Sequence, residues 1–240
     1  LKVAQWASFA LTLAVLIVMC RGMFGWLVGS VFNEPREDMA HGWFIPIFTV
    51  VLFWVKRYEL RRVAGLPSPA ALLLALPGIA LFFIGALGDQ LRFMLVASIW
   101  LIWIALYVTW GWRLAKESIF AVAFLLFTMP MSFLDFFTVK LRMLIAALAA
   151  TLLNGLGIVV VRTGTGLFCQ AGGGFNLDIA DPCSGMRSIF ALTALTAGYA
   201  YLTQKTLRGK WLLFLCAIPL AMLGNLARIF SIALVATAFG

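Results

Sequence analysis

The chain has 240 residues, 64% of them hydrophobic and 11% charged, with a mean hydropathy of +1.05. Soluble domains carry roughly 45–50% apolar and about 25% charged residues, so the composition indicates an all-α polytopic membrane protein and excludes a separate soluble domain. Eighteen Lys and Arg against nine Asp and Glu give a net charge of +9, which fits short cytoplasmic loops facing anionic lipid and calls for no nucleic acid. At roughly 20 apolar residues per span, the length accommodates about seven to eight transmembrane helices in a single domain, 1–240.

The few charges mark the ends of the expected spans. A first apolar run extends from Trp6 to about Val31, and a polar stretch, Asn33 to Asp38, precedes His41-Gly42-Trp43. The second run, Phe44 to Val55, ends at Lys56-Arg57, and Arg57, Arg61 and Arg62 assign the next loop to the cytoplasm. His41 is then outside. Pro69 to Leu87 and Leu91 to Trp112 form spans three and four across a tight turn at Gly88-Asp89-Gln90, and Arg113 and Lys116 bring the chain back inside. Ser118 to about Met131 is the fifth span. Later, Ser184 to Leu202 and Trp211 to Phe239 are two clear spans joined by Lys205, Arg208 and Lys210. If Met143 to Val161 also crossed, that basic loop would fall outside. Parity therefore favours an interfacial or re-entrant segment over Ser132 to Val161, on the outer face. Between Val161 and Ala180, alternating residues flank a glycine-rich turn at Ala171 to Gly174, the pattern of a small outer-face β-hairpin. The chain starts at Leu1 and stops at Gly240 inside an apolar run, which suggests a fragment.

Asp181-Pro182 followed by an apolar run reads as a helix start, with Asp181 as cap and Pro182 at the first helical position. Cys183 then lies in the first turn, where unpaired N–H groups and the helix dipole favour a thiolate. Arg187, four residues on, shares its face and adds positive charge. The same turn offers donors, Ser184 among them, for a developing oxyanion. The alternative is a small apolar filler, which is the reading for Cys20 and Cys216. Cys169 could instead pair with Cys183 in a disulfide, though that would silence the best nucleophile. Arg228 lies deep in the last run, about 27 Å from Lys210 at roughly 1.5 Å per residue, level with Cys183. An intramembrane arginine faces a polar cavity or a partner, or else snorkels to the headgroups. Asn225 shares the face of Arg228 and can hydrogen-bond it or a substrate carbonyl. His41 is the single histidine; it is either a partner for the cysteine or a structural residue at a helix entrance. One histidine and four cysteines without CxxC spacing give no basis for a metal site or a cofactor.

Cys183-Ser184-Gly185-Met186-Arg187-Ser188 and Asn225-Leu226-Ala227-Arg228-Ile229, about 40 residues apart on successive helices, resemble the exosortase/archaeosortase family. His41-Gly42-Trp43-Phe44-Ile45-Pro46 with Trp54-Val55-Lys56-Arg57 is similar to its first outer loop and second helix. Leu125 to Pro130 is similar to the helix ending before its middle segment, and Leu156-Gly157-Ile158 through to Asp181 to its approach to the cysteine. The resemblance implies a multi-pass membrane cysteine peptidase or transpeptidase acting on exported proteins that bear a C-terminal sorting signal: a short motif such as Pro-Glu-Pro, one transmembrane helix and a basic tail. Carried over, Cys183 attacks the scissile carbonyl and Arg228 steadies the oxyanion, while Arg187, Ser184, Asn225 and His41 support or bind substrate. The family's catalytic histidine follows the arginine helix, and no histidine follows Arg228 in this sequence. A transporter or a non-catalytic assembly subunit is the competing expectation.

Overall fold

The computed structural model describes residues 44–129, 135–169, 175–178 and 186–239 together with isolated helical positions at 10, 13–14 and 17; side chains are described over 44–129, 139–169 and 190–237 and at those isolated positions. The first expected span therefore lies almost wholly outside the described residues. The chain divides into two compact units, 1–130 and 131–240.

In the first unit, α1 (Phe44–Val55) coincides with the second expected span and passes into the short α2 (Arg57–Val63). Arg57 stacks on both Trp54 and Tyr58, its guanidinium carbon 4.5 and 4.4 Å from the ring centres, and Nη1 donates to the Trp54 carbonyl at 2.7 Å. Aromatic and cationic residues of this kind belong at a membrane interface. A 3-10 segment (Pro69–Leu74) leads into α3 (Ala75–Leu87), and together they form the third expected span. Gly78 and Gly85 let α3 approach the next helix closely: a Cβ on Gly78 would stand 2.6 Å from Trp100 Cδ1.

Helix α4 (Leu91–Ala123) reverses at Gly111, whose φ of 80° and ψ of 172° interrupt the helical path. The arm after the break folds back on the arm before it. Trp103 Nε1 donates to the Ala115 carbonyl at 2.8 Å, and Trp103 lies 6.1 Å from Trp112, ring centre to ring centre. In a straight helix, residues 103 and 115 would stand about 18 Å apart at 1.5 Å per residue. The two arms, the second extended by a 3-10 turn (Phe124–Thr128), are thus the fourth and fifth expected spans. Only glycine suits the backbone at 111, since that region of φ and ψ is closed to residues with a Cβ. A Cβ would also meet the Leu66 carbonyl oxygen at 2.9 Å. The loop that supplies this carbonyl caps the first arm, with Gly65 N–H donating to Trp110 O at 2.8 Å and Ser68 N–H to Val108 O at 2.9 Å. Carbonyls that a helix end leaves unpaired are satisfied in this way. Arg61, Arg62, Arg113 and Lys116 consequently gather at one end of the unit.

In the second unit, α5 (Asp135–Gly155) is one continuous helix of 21 residues. It lies inside the expected segment Ser132 to Val161, of which residues 132–134 are outside the described residues; Val160 and Val161 belong to a strand, which corrects the expected C-terminal boundary. Three strands follow, β1 (Val160–Thr163), β2 (Gly166–Cys169) and β3 (Phe175–Asp178), in an antiparallel sheet of order β1-β2-β3. The expected hairpin is the β2/β3 pair, with Cys169 opposite Phe175 and Gly166 opposite Asp178. Its first strand was expected as one run from Val161 to Cys169. A two-residue turn at Gly164-Thr165 splits that run and pairs Val160 with Cys169. Last come α6 (Met186–Thr203) and α7 (Leu207–Phe239), an antiparallel pair. The core joins α5 (Ile145, Ala149, Leu153), the sheet (Leu167, Cys169) and one face of α7 (Ile229, Ala233).

Among the described residues, Pro69–Leu87, Leu91–Thr128 and Leu207–Thr237 are long and apolar enough to cross a membrane, with Phe44–Val55 a shorter apolar helix. Because Leu91–Thr128 is a hairpin, its length belongs to two arms. Large apolar side chains such as Leu76, Phe83 and Leu87 on α3 and Leu212 and Leu223 on α7 are exposed, as lipid-facing surfaces require.

Candidate active site

The sheet that precedes the cysteine segment is held by the end of α5. Gly157, with φ of 85°, lets the helix stop in a Schellman turn: Ile158 N–H donates to Leu153 O at 3.1 Å and Gly157 N–H to Asn154 O at 3.0 Å. This is the six-to-one and five-to-two pattern that satisfies terminal carbonyls. The Asn154 side chain then holds the first strand, its Nδ2 donating to Val160 O at 3.1 Å and its Oδ1 accepting from Val160 N–H at 2.9 Å. One amide therefore stands in for a missing strand partner at the point where the chain turns toward the cysteine segment. Sequence reasoning passed over Asn154; an asparagine just before a Gly-x-Gly helix ending was the available signal.

Helices α6 and α7 enclose a cleft of about 430 Å³ lined by Ala191, Leu192 and Leu195 from α6 and by Leu220, Ala221, Gly224, Asn225 and Arg228 from α7. Arg228 is exposed and lies at the end of the cleft nearest the start of α6, level with Ala191. Asn225, one turn deeper, is buried at 5% exposure. Its Nδ2 has no hydrogen-bond partner among the described residues. The opposite end of the helix pair carries Lys205, Arg208 and Lys210, with Lys210 Nζ 4.9 Å from the centre of the Tyr201 ring. The structure thus brings Asn225 and Arg228 together, toward the end of the helix pair opposite Lys205, Arg208 and Lys210.

Arg187 is the second residue of α6, and its side chain is not among those described. Cys183, Ser184 and His41 lie outside the described residues. Cys183 precedes Met186, the first residue of α6, by three positions. Cys169 is a core residue at 4% exposure, whereas Cys216 is exposed on α7.

A family model described as transmembrane exosortase matches residues 26–240. The chain belongs to the transmembrane exosortase family. This is a family of membrane peptidases and transpeptidases, and membership assigns the chain at that level to the processing of sorting signals. No curated protein and no solved structure matches the chain. The match runs through both units of this exosortase and includes the cysteine segment, the sheet that leads to it and the α6/α7 pair.

Proposed function

We propose that this exosortase is a multi-pass membrane cysteine peptidase or transpeptidase that cleaves C-terminal sorting signals from exported proteins, with its site at the outer face of a bacterial inner membrane. The Cys183 thiolate attacks the scissile carbonyl, forming a carbon–sulfur bond. The carbon–nitrogen bond then breaks as its nitrogen takes a proton from water at the outer face, and the tail helix leaves as an amine. Water or an acceptor amine attacks the thioester and returns the thiol. Arg228 donates to the oxyanion formed in each addition step.

The observation that carries this reading is the placement of Arg228 and Asn225 at one end of the α6/α7 cleft, beside the helix that starts three residues after Cys183. Arg228 stands 18 residues after Lys210, about 27 Å along a helix, so a cationic donor sits across a hydrocarbon core of about 30 Å from the basic loop.

The test is cleavage, in membranes, of a reporter ending in Pro-Glu-Pro, an apolar helix and a basic tail. Cys183→Ala abolishes it, and Arg228→Ala lowers the rate about 10²–10³-fold, the usual consequence of removing an oxyanion donor. Persistent cleavage by the Cys183→Ala protein would refute the mechanism.

A further inference from the structure

Packing within the chain leaves the α6/α7 cleft with an unsatisfied amide. Asn225 is 5% exposed, lines the cleft and has an Nδ2 without a partner among the described residues. Buried donors are almost always paired, because leaving one unpaired destabilises the fold. Arg228, three residues on, also carries donors only, and of the cleft's lining residues it alone is charged. The rest of the wall is apolar and in part small, through Ala191, Ala221 and Gly224. Among the described residues, a Cβ built on Gly224 meets nothing within 4 Å, so none of their contacts requires its smallness. From Leu220 to Arg228 the wall runs about 12 Å, a little over two helical turns.

Small residues on a membrane helix let a second helix approach closely, and lipid tails have no such requirement. Neutral amide donors match neutral carbonyl acceptors, whereas a phosphate headgroup would be met by several cations. We infer that this cleft seats the peptide substrate itself: its apolar helix lies against Ala221 and Gly224, and a main-chain carbonyl at the entry of that helix accepts from Asn225 Nδ2, one turn deeper than Arg228. This rests on the reading that the chain handles exported proteins with an apolar tail. Asn225 is then a positioning residue that sets the register of the scissile bond at Arg228, and the unpaired amide of the free protein finds its partner on binding.

Binding is measured in the Cys183→Ala protein, so that it does not depend on chemistry. The probe is a labelled synthetic peptide with Pro-Glu-Pro-Ala, a Leu/Ala helix of about 20 residues and a Lys-Arg-Lys tail, with the enzyme in lipid nanodiscs. Asn225→Leu weakens binding about five- to tenfold, in line with one lost hydrogen bond, while the thermal midpoint stays level or rises because an unpaired buried amide has been removed. Asn225→Gln, which retains the donor, recovers part of the affinity. Gly224→Leu fills the cleft, leaves the midpoint in place and weakens binding further. Unchanged affinity in Asn225→Leu and Gly224→Leu overturns the inference, as does a lowered midpoint in Asn225→Leu or a parent protein that fails to bind. Displacement of the peptide by phosphatidylglycerol alone, without the reverse, replaces it with a lipid site. If Cys183→Ala still cleaves the reporter while binding depends on Asn225, the acyl-enzyme reading fails and the cleft assignment stands.

Discussion

Replacing Asn154 by Ala tests how the sheet before Cys183 is held. The side chain makes two hydrogen bonds, 3.1 and 2.9 Å, to the carbonyl and N–H of Val160. At about 0.5–1.5 kcal/mol net for each bond, their loss costs about 1–3 kcal/mol. The upper half of that range applies because Val160 is buried at 5% exposure, where water replaces the lost partners poorly. Helix α5 has its own terminal bonds in the Schellman turn, so the cost falls on the attachment of β1 and not on the helix. Asn154→Asp retains the acceptor for Val160 N–H but sets a carboxylate against the Val160 carbonyl, and is as damaging. Hydrogen exchange reads the difference directly, since local opening is reported residue by residue. Amides of residues 160–169 should exchange about 25- to 150-fold faster in Asn154→Ala, as about 2–3 kcal/mol requires at about 1.4 kcal/mol per tenfold, while those of α6 and α7 keep their protection. Equal acceleration throughout the unit, or none in the sheet, would refute the reasoning. Reporter cleavage should fall alongside, because the strands lead into the cysteine segment.

Two further predictions concern the first unit. Gly111→Ala places a Cβ at positive φ and 2.9 Å from the Leu66 carbonyl oxygen; the backbone strain alone is about 1–3 kcal/mol, so the unfolding free energy in mild detergent should drop by at least that much, whereas Gly155→Ala, with nothing within 4 Å of its Cβ, should not destabilise. A drop below about 0.5 kcal/mol for Gly111→Ala would contradict the hairpin geometry. Trp103→Phe removes the indole donor to Ala115 O and should cost about 1 kcal/mol, measured by the same unfolding assay, with an unchanged midpoint counting against that bond.

The spans were legible because a membrane helix declares itself by length and by the charges at its ends. Phe44–Val55 and Pro69–Leu87 fall where the hydropathy places them, and the expected span Trp211 to Phe239 falls within α7. The reversal at Gly111 was legible from Arg113 and Lys116 but not from the helix pattern, since Trp110-Gly111-Trp112 has the hydropathy of a helix interior and the turn depends on a single glycine's backbone. The extra strand was missed for a related reason: alternation through Val161 to Cys169 continues in phase across Gly164-Thr165, so side-chain periodicity is blind to a two-residue turn that preserves it. Ser132 to Val161 resisted reading because its apolar run joins two elements. The helix needs Asp135, Lys140 and Arg142 in its first turns, and Val160 and Val161, as apolar as any helix residue, are drawn into the sheet by the amide of Asn154.

At the candidate site the sequence singled out Arg228 by depth alone, and depth does not distinguish a functional arginine from one that snorkels. At about 27 Å from Lys210, the guanidinium can reach the headgroups of a core about 30 Å thick, so a lone arginine there would need no further account. Asn225 alters the balance. It lies on the same face one turn deeper, too short to snorkel and 5% exposed, and its Nδ2 is unpaired in a cleft whose other walls are apolar. Snorkelling explains Arg228 without Asn225; a site for an acceptor-bearing ligand explains both, together with a Gly224 that no contact among the described residues requires.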